Sequence, residues 1–99
     1  MNYQIQFPED FNTSDLVQFE VESKGYLKGV VVTVDNDTSY TLVFYDIARL
    51  KQDSDEELES SSFFFEPNLI IVPKVNKSSM HGAIDSLFAN GEFKSLKPN

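Results

Sequence analysis

A break in composition near residue 60 constrains this chain more than any other feature. Asp53, Asp55, Glu56, Glu57 and Glu59 place five carboxylates within seven residues. Ser60, Ser61 and Ser62 follow, then Phe63, Phe64 and Phe65, then Glu66 and Pro67. The carboxylates repel one another and stay hydrated, whereas phenylalanine rings seek cover. Any fold must therefore carry the chain from solvent to an apolar surface within a few residues. Successive side chains of an extended segment point to opposite sides, so Phe63, Phe64 and Phe65 cannot all enter one core. Either both sides of the segment are covered, or at least one ring stands exposed.

The flanking sequence reads mostly as strands. Tyr3, Ile5 and Phe7 alternate with polar residues, the period of a half-buried strand, and Pro8 ends it. Val17, Phe19 and Val21 alternate with Gln18, Glu20 and Glu22 and predict a second strand, with Ser23-Lys24-Gly25 as the turn after it. Tyr26 to Val34 is rich in valine, and Gly29 inside it marks a bulge. Asp35 to Ser39 reads as a hairpin loop, because Asn and Asp tolerate positive φ. Tyr40 to Tyr45 is the return strand, and Leu69 to Val72, stopped by Pro73, is another.

Two helices are predicted. Ser54 and Glu57 fit a capping box, which places a short, exposed helix over residues 54–60 with its acids in the first turn, where the helix dipole favours them. Met80, Ile84, Leu87 and Phe88 follow helical spacing. Asn76 or Ser78 can cap that helix, and Gly91 stands where a left-handed residue closes it. Phe93 and Leu96 are expected to fold back onto the core, and Lys97-Pro98-Asn99 to fray. Ninety-nine residues make one domain, spanning 1–99. The predicted fold class is α+β: an antiparallel sheet of four to five strands, with the C-terminal amphipathic helix and the short acidic helix on one face, in two layers.

Composition narrows function mainly by exclusion. There is no cysteine, so no disulfide framework and no thiolate chemistry. The N-terminus shows no signal peptide, and no apolar run approaches the roughly 18 residues of a membrane span, so a cytoplasmic, soluble protein is expected. Net charge is −8. Residues 1–73 carry fourteen acidic side chains against four basic ones, and residues 74–99 carry two against four. An acidic body repels nucleic acid and anionic membranes, which bind through Lys and Arg. It serves solubility, and it also attracts a basic partner.

Three groupings resemble sites. His81, with Asp85 one helical turn on and Ser78 and Ser79 nearby, contains the residue types of acyl transfer. All of them lie on about two turns of one helix, which does not aim a nucleophile and an oxyanion hole at one point, so a capped helix with a surface ion pair is expected. Asp35, Asp37, Ser39, Thr41 and Asp46 match positions of a calcium loop, yet Tyr40 stands where that loop needs Gly, and Asp46 stands where it needs Glu. The acidic run has no spacing that fixes a coordination cage. No catalytic residue, metal or cofactor is therefore expected. The junction of Asp53, Asp55, Glu56, Glu57 and Glu59 with Phe63, Phe64 and Phe65 is the candidate partner-binding surface, because charge around an aromatic anchor is the composition of interface centres. The expected function is a small acidic protein-binding module without catalysis, of the inhibitor or immunity-protein kind, facing a basic protein as a monomer or homodimer. The alternatives are a homo-oligomeric structural domain, paired through the valine hairpin or the phenylalanine segment, and a small enzyme.

Overall fold

The computed structural model describes residues 2–99. In chain order the elements are β1 (Tyr3–Gln6), α1 (Asp15–Lys24), β2 (Tyr26–Val34), β3 (Thr38–Tyr45), α2 (Ile47–Ser60), β4 (Leu69–Ile71) and α3 (Lys77–Ala89), with short 3₁₀ turns at Glu9–Asn12 and Glu92–Ser95. The strands form one open sheet in the order β1-β2-β3-β4. The architecture is α+β, as the sequence predicts. No helix among the described residues is long and apolar enough to cross a membrane.

The expected valine hairpin forms. β2 and β3 pair antiparallel from Tyr26↔Tyr45 to Val34↔Thr38. Asp35 and Asn36 take φ of 52° and 56° in the turn, a conformation that Asn and Asp adopt at little cost. Gly29 has φ of 86°, and the register shifts between Lys28 and Val30, so the glycine does mark a bulge. The hairpin occupies the middle of the sheet, flanked by β1 along Val31–Val34 and by β4 along Val43–Tyr45.

Three local expectations are corrected. First, Val17 to Val21 is helical. Ser14 accepts a hydrogen bond from the Val17 backbone N–H, and Gly25 closes α1 in the left-handed conformation at φ 71°. Val17 and Val21 lie one turn apart and face the core, so end signals outweigh the alternation. Second, the acidic helix begins at Ile47, not at residue 54. Asp46 is its N-cap and accepts from the Arg49 backbone N–H at 2.8 Å, while Ser54 Oγ only bonds the Lys51 carbonyl. Third, β4 runs parallel to β3, pairing Val43↔Leu69 to Tyr45↔Ile71, so the sheet is mixed. Parallel neighbours need a long crossover, and α2 is that crossover helix.

The core lies on one side of the sheet. Val30, Val32, Val34, Tyr40, Leu42 and Phe44 present alternate positions of β2 and β3 to Met80, Ile84 and Phe88 of α3, with Phe7, Phe11 and Val21 closing the near end. Leu87 is only half-buried, so the stripe of α3 is narrower than the spacing suggests. Asn76 caps α3 by accepting from the Ser79 N–H at 2.8 Å, and Gly91 follows the helix at φ 72°. Phe93 and Leu96 pack against the core cluster as expected. Phe93 stacks on Phe88 at 4.8 Å, and Phe88 stacks on Tyr3 at 4.6 Å. Lys97–Asn99 does not stand free. Its backbone is tied to Asn68 and to β3.

Candidate functional site

α2 is built to stand out from the fold. Its large apolar residues, Ile47, Leu50 and Leu58, share one side but are too few to form a dense stripe, and it buries none of its own side chains. Its first half is held by specific contacts. The Asp46 N–H donates to the Gly25 carbonyl at 2.9 Å. The Arg49 guanidinium lies 5.1 Å from the centre of the Tyr26 ring, and Arg49 also reaches the Lys24 carbonyl at the end of α1. Arg49 Nε donates to Asp53 Oδ1 at 2.8 Å. Tyr45 is buried beside this pair. Burial first, and then the Asp53 carboxylate, holds its hydroxyl protonated well above the usual tyrosine range. The Asp53 hydrogen bond in turn raises the Arg49 pKa, keeping the guanidinium charged.

The five acids therefore have different surroundings. Asp53 is half-buried and paired with Arg49. Asp55 accepts from Lys51 at 2.6 Å on the surface, and that contact raises the Lys51 pKa. Glu56, Glu57 and Glu59 form no ion pair among the described residues and lie exposed in the last two turns of α2. They sit at the negative end of the helix dipole, the opposite of the predicted placement, and no basic residue occupies the last turn.

Beyond Ser60 the chain turns back beside the helix. The Ser61 N–H donates to the Glu57 carbonyl at 2.8 Å, and the Ser61 hydroxyl donates to the Glu57 carboxylate. The phenylalanines then alternate, as their spacing requires. Phe64 is half-buried and meets the Tyr45 ring edge-on at 6.4 Å. Phe63 and Phe65 point outward, 67% and 71% exposed. Glu57, Ser61, Glu66 and the three rings share one surface recess. The segment is not a regular strand. Seven of the eight candidate residues thus lie on one arm, with Asp53 at its base held by Arg49, and Phe63, Phe65, Glu56, Glu57 and Glu59 form its accessible part.

The other groupings do not assemble. Asp85 accepts from the Tyr3 hydroxyl and not from His81, whose ring packs 5.6 Å from Phe7. In the hairpin, Asp35 accepts from the Asn2 N–H, Ser39 pairs with Thr33 and Asp46 caps α2. Among the described residues no cluster of three His, Asp or Glu side chains is placed to hold a metal ion.

Sequence reasoning missed two surface features. Leu16 and Phe19 are each 66% exposed on the outer face of α1, a consequence of the helix that alternation concealed. Asn68, with φ of 56°, directs its side chain at the backbone of Lys97. Its signal was present: Pro67-Asn68 is the central pair of a turn that demands positive φ at its second position. Compared with protein-family models, curated proteins and solved structures, the chain matches none.

Proposed function

We propose that the protein is a protein-binding module that docks a basic partner on the arm formed by the C-terminal half of α2 and the segment through Phe65. The observation that carries this reading is an arrangement unfavourable to the isolated chain. Two phenylalanines are left in water, next to carboxylates that crowd the negative end of a helix. A cationic surface with an apolar recess relieves both at once, covering Phe63 and Phe65 and neutralising Glu56, Glu57 and Glu59. Asp53 and Asp55 contribute less, because Arg49 and Lys51 already answer them. An inhibitor or immunity-type protein acting on a basic enzyme or toxin has this surface chemistry.

The test compares proteins captured by the wild type with those captured by Phe63→Ser/Phe65→Ser and by Glu56→Gln/Glu57→Gln/Glu59→Gln, at low and high salt. The reading expects a basic protein retained by the wild type, released by salt and lost from both variants. Identical captures by all three proteins would sink it.

Self-association is the second reading. The apolar groove where Ile47 meets Ile71 and Pro73, beside the unpaired edge of β4, is the observation that favours it. The valine hairpin is the less favoured route, since β1 and β4 flank it and Lys97–Asn99 lies along the stretch of β3 that β4 leaves unpaired. Sedimentation equilibrium of wild type and Ile71→Lys separates the two readings. A dimer abolished by Ile71→Lys supports the second.

A further inference from the structure

β4 pairs only with Val43, Phe44 and Tyr45, so the N-terminal half of β3 extends past it along the same edge. The segment Lys97–Asn99 covers that stretch. Pro98 bridges Tyr40 in antiparallel sense, and the Asn99 N–H donates to the Ser39 carbonyl at 2.8 Å. The Thr41 hydroxyl donates to Asn99 Oδ1 at 2.9 Å. Asn68 grips the segment from the other side. Its Oδ1 accepts the Lys97 N–H at 2.7 Å. Its Nδ2 donates to the Lys97 carbonyl at 2.8 Å and to the Thr41 carbonyl at 3.0 Å.

An asparagine side chain offers two N–H donors and a carbonyl acceptor, and here all of them meet main chain. The pair of bonds to Lys97 reads the donor and the acceptor of one extended residue and ignores its side chain. Lys97, Pro98 and Asn99 are themselves exposed, so the segment is held by backbone pairing and little else.

The surroundings continue the surface described above. A depression of about 470 Å³ lies against the segment, with Val43 and Pro67 on its walls and Lys28 and Glu66 at its rim. Glu66 also lines the recess of Glu57 and the three phenylalanines, and Phe65 and Asn68 share a further one. The backbone clamp and the acidic, aromatic arm are therefore contiguous.

The geometry points to this edge as the acceptor for an extended, basic polypeptide segment of the partner, which displaces Lys97–Asn99 and pairs antiparallel to β3 with one residue clamped by Asn68. This is strand addition, in which main-chain hydrogen bonds supply the affinity. The preference for basic sequence rests on the reading proposed above, whereas the clamp rests on the hydrogen bonds alone. Lys97–Asn99 acts as a competing occupant, so the apparent affinity falls with the fraction of time the edge is covered.

The probe is a short fluorescent peptide alternating Lys and Val, with a second version N-methylated at alternate backbone nitrogens. Titrated into the full chain, the first is expected to bind and to accelerate amide exchange at Lys97 and Asn99, and the N-methylated version is expected not to bind. Thr41→Val loosens the native segment but spares the clamp, and should tighten binding by about fivefold. Because Asn68 also holds Lys97 in the free protein, Asn68→Ala is made on the Thr41→Val background, where the native segment competes less. There it removes two peptide contacts and should weaken binding severalfold, with unchanged salt dependence. Neutralising Glu56, Glu57 and Glu59 should weaken binding and flatten its salt dependence. Weaker binding on adding Asn68→Ala but not in the neutralised variant upholds the clamp and removes the charged arm. The reverse upholds the arm and overturns the inference. Equal binding of both peptides, retained protection of the Lys97 and Asn99 amides in the complex, or no binding also overturns it.

Discussion

Neutralising the end of α2 should stabilise that helix in the free protein. The perturbation is Glu57→Gln with Glu59→Gln. Both residues lie in the last turn, and no basic residue there answers them. Removing a misplaced charge from a helix terminus is worth about 0.3–1 kcal/mol per residue. The acids one turn back, Asp53 and Asp55, are already paired with Arg49 and Lys51 and add little repulsion. The two terminal contributions together reach roughly 0.6–2 kcal/mol at low ionic strength, and exposure and screening bring them toward about 1 kcal/mol in ordinary salt. Glutamine keeps an acceptor for the Ser61 hydroxyl that bonds Glu57, so that contact does not confound the change. Because α2 buries none of its side chains, the gain should appear first as local protection. Amide exchange is the assay. Protection over residues 55–60 should rise by about fivefold at moderate salt and more at low salt. Unchanged or reduced protection at low salt would refute the view that these acids are held against the helix's own stability.

Other substitutions test the frame that holds the arm. Ile84→Ala should lower unfolding stability by about 2–5 kcal/mol in urea, since Ile84 is 0% exposed, and half-buried Leu87→Ala should cost less. Gly25→Ala should cost about 2–3 kcal/mol: the residue sits at φ 71°, and its added Cβ would lie 2.3 Å from Asp46 Oδ2, disturbing the cap of α2. Tyr45 has its pKa raised, so its contribution is intact below about pH 10, where tyrosine in the unfolded chain begins to ionise, and is lost as pH rises beyond it. In that alkaline window stability should fall by about 1.4 kcal/mol per pH unit from this group, and Tyr45→Phe should remove that part of the slope in urea titrations. Phe63→Ser/Phe65→Ser should move stability by no more than about 0.5 kcal/mol, as the rings are exposed.

The sequence carries the parts of this fold whose signals are local and agree with one another. The valine hairpin combines β-branched strands, an Asp-Asn turn and a bulge glycine, and it forms as expected. α3 combines a cap, a stripe and a closing glycine. Where signals competed, the weaker-looking one prevailed. The alternation over Val17–Val21 yielded to Ser14 and Gly25 at the two ends of a helix. Asp46, three residues ahead of Arg49, capped α2 and displaced the more conspicuous pair of Ser54 and Glu57. Strand direction was hidden for a different reason: the connection from Tyr45 to Leu69 is long enough for either direction, and local periodicity does not say which one it takes. The arm was legible as a juxtaposition of charge and rings. Which rings face solvent depends on Tyr45, and which acids remain unpaired depends on Arg49 and Lys51, contacts that periodicity does not show.

The most direct test of the central claim divides the arm's two components kinetically once a captured partner is in hand. Association and dissociation are measured over a range of salt for wild type, for the protein with Glu56, Glu57 and Glu59 replaced by Gln, and for Phe63→Ser/Phe65→Ser, with circular dichroism confirming the fold of each. Charge acts mainly on encounter and apolar anchors mainly on departure. Neutralisation should therefore lower the on-rate and flatten its salt dependence, while loss of the two rings should raise the off-rate. Unaltered kinetics in both folded variants would contradict the account and place the interface elsewhere on the molecule.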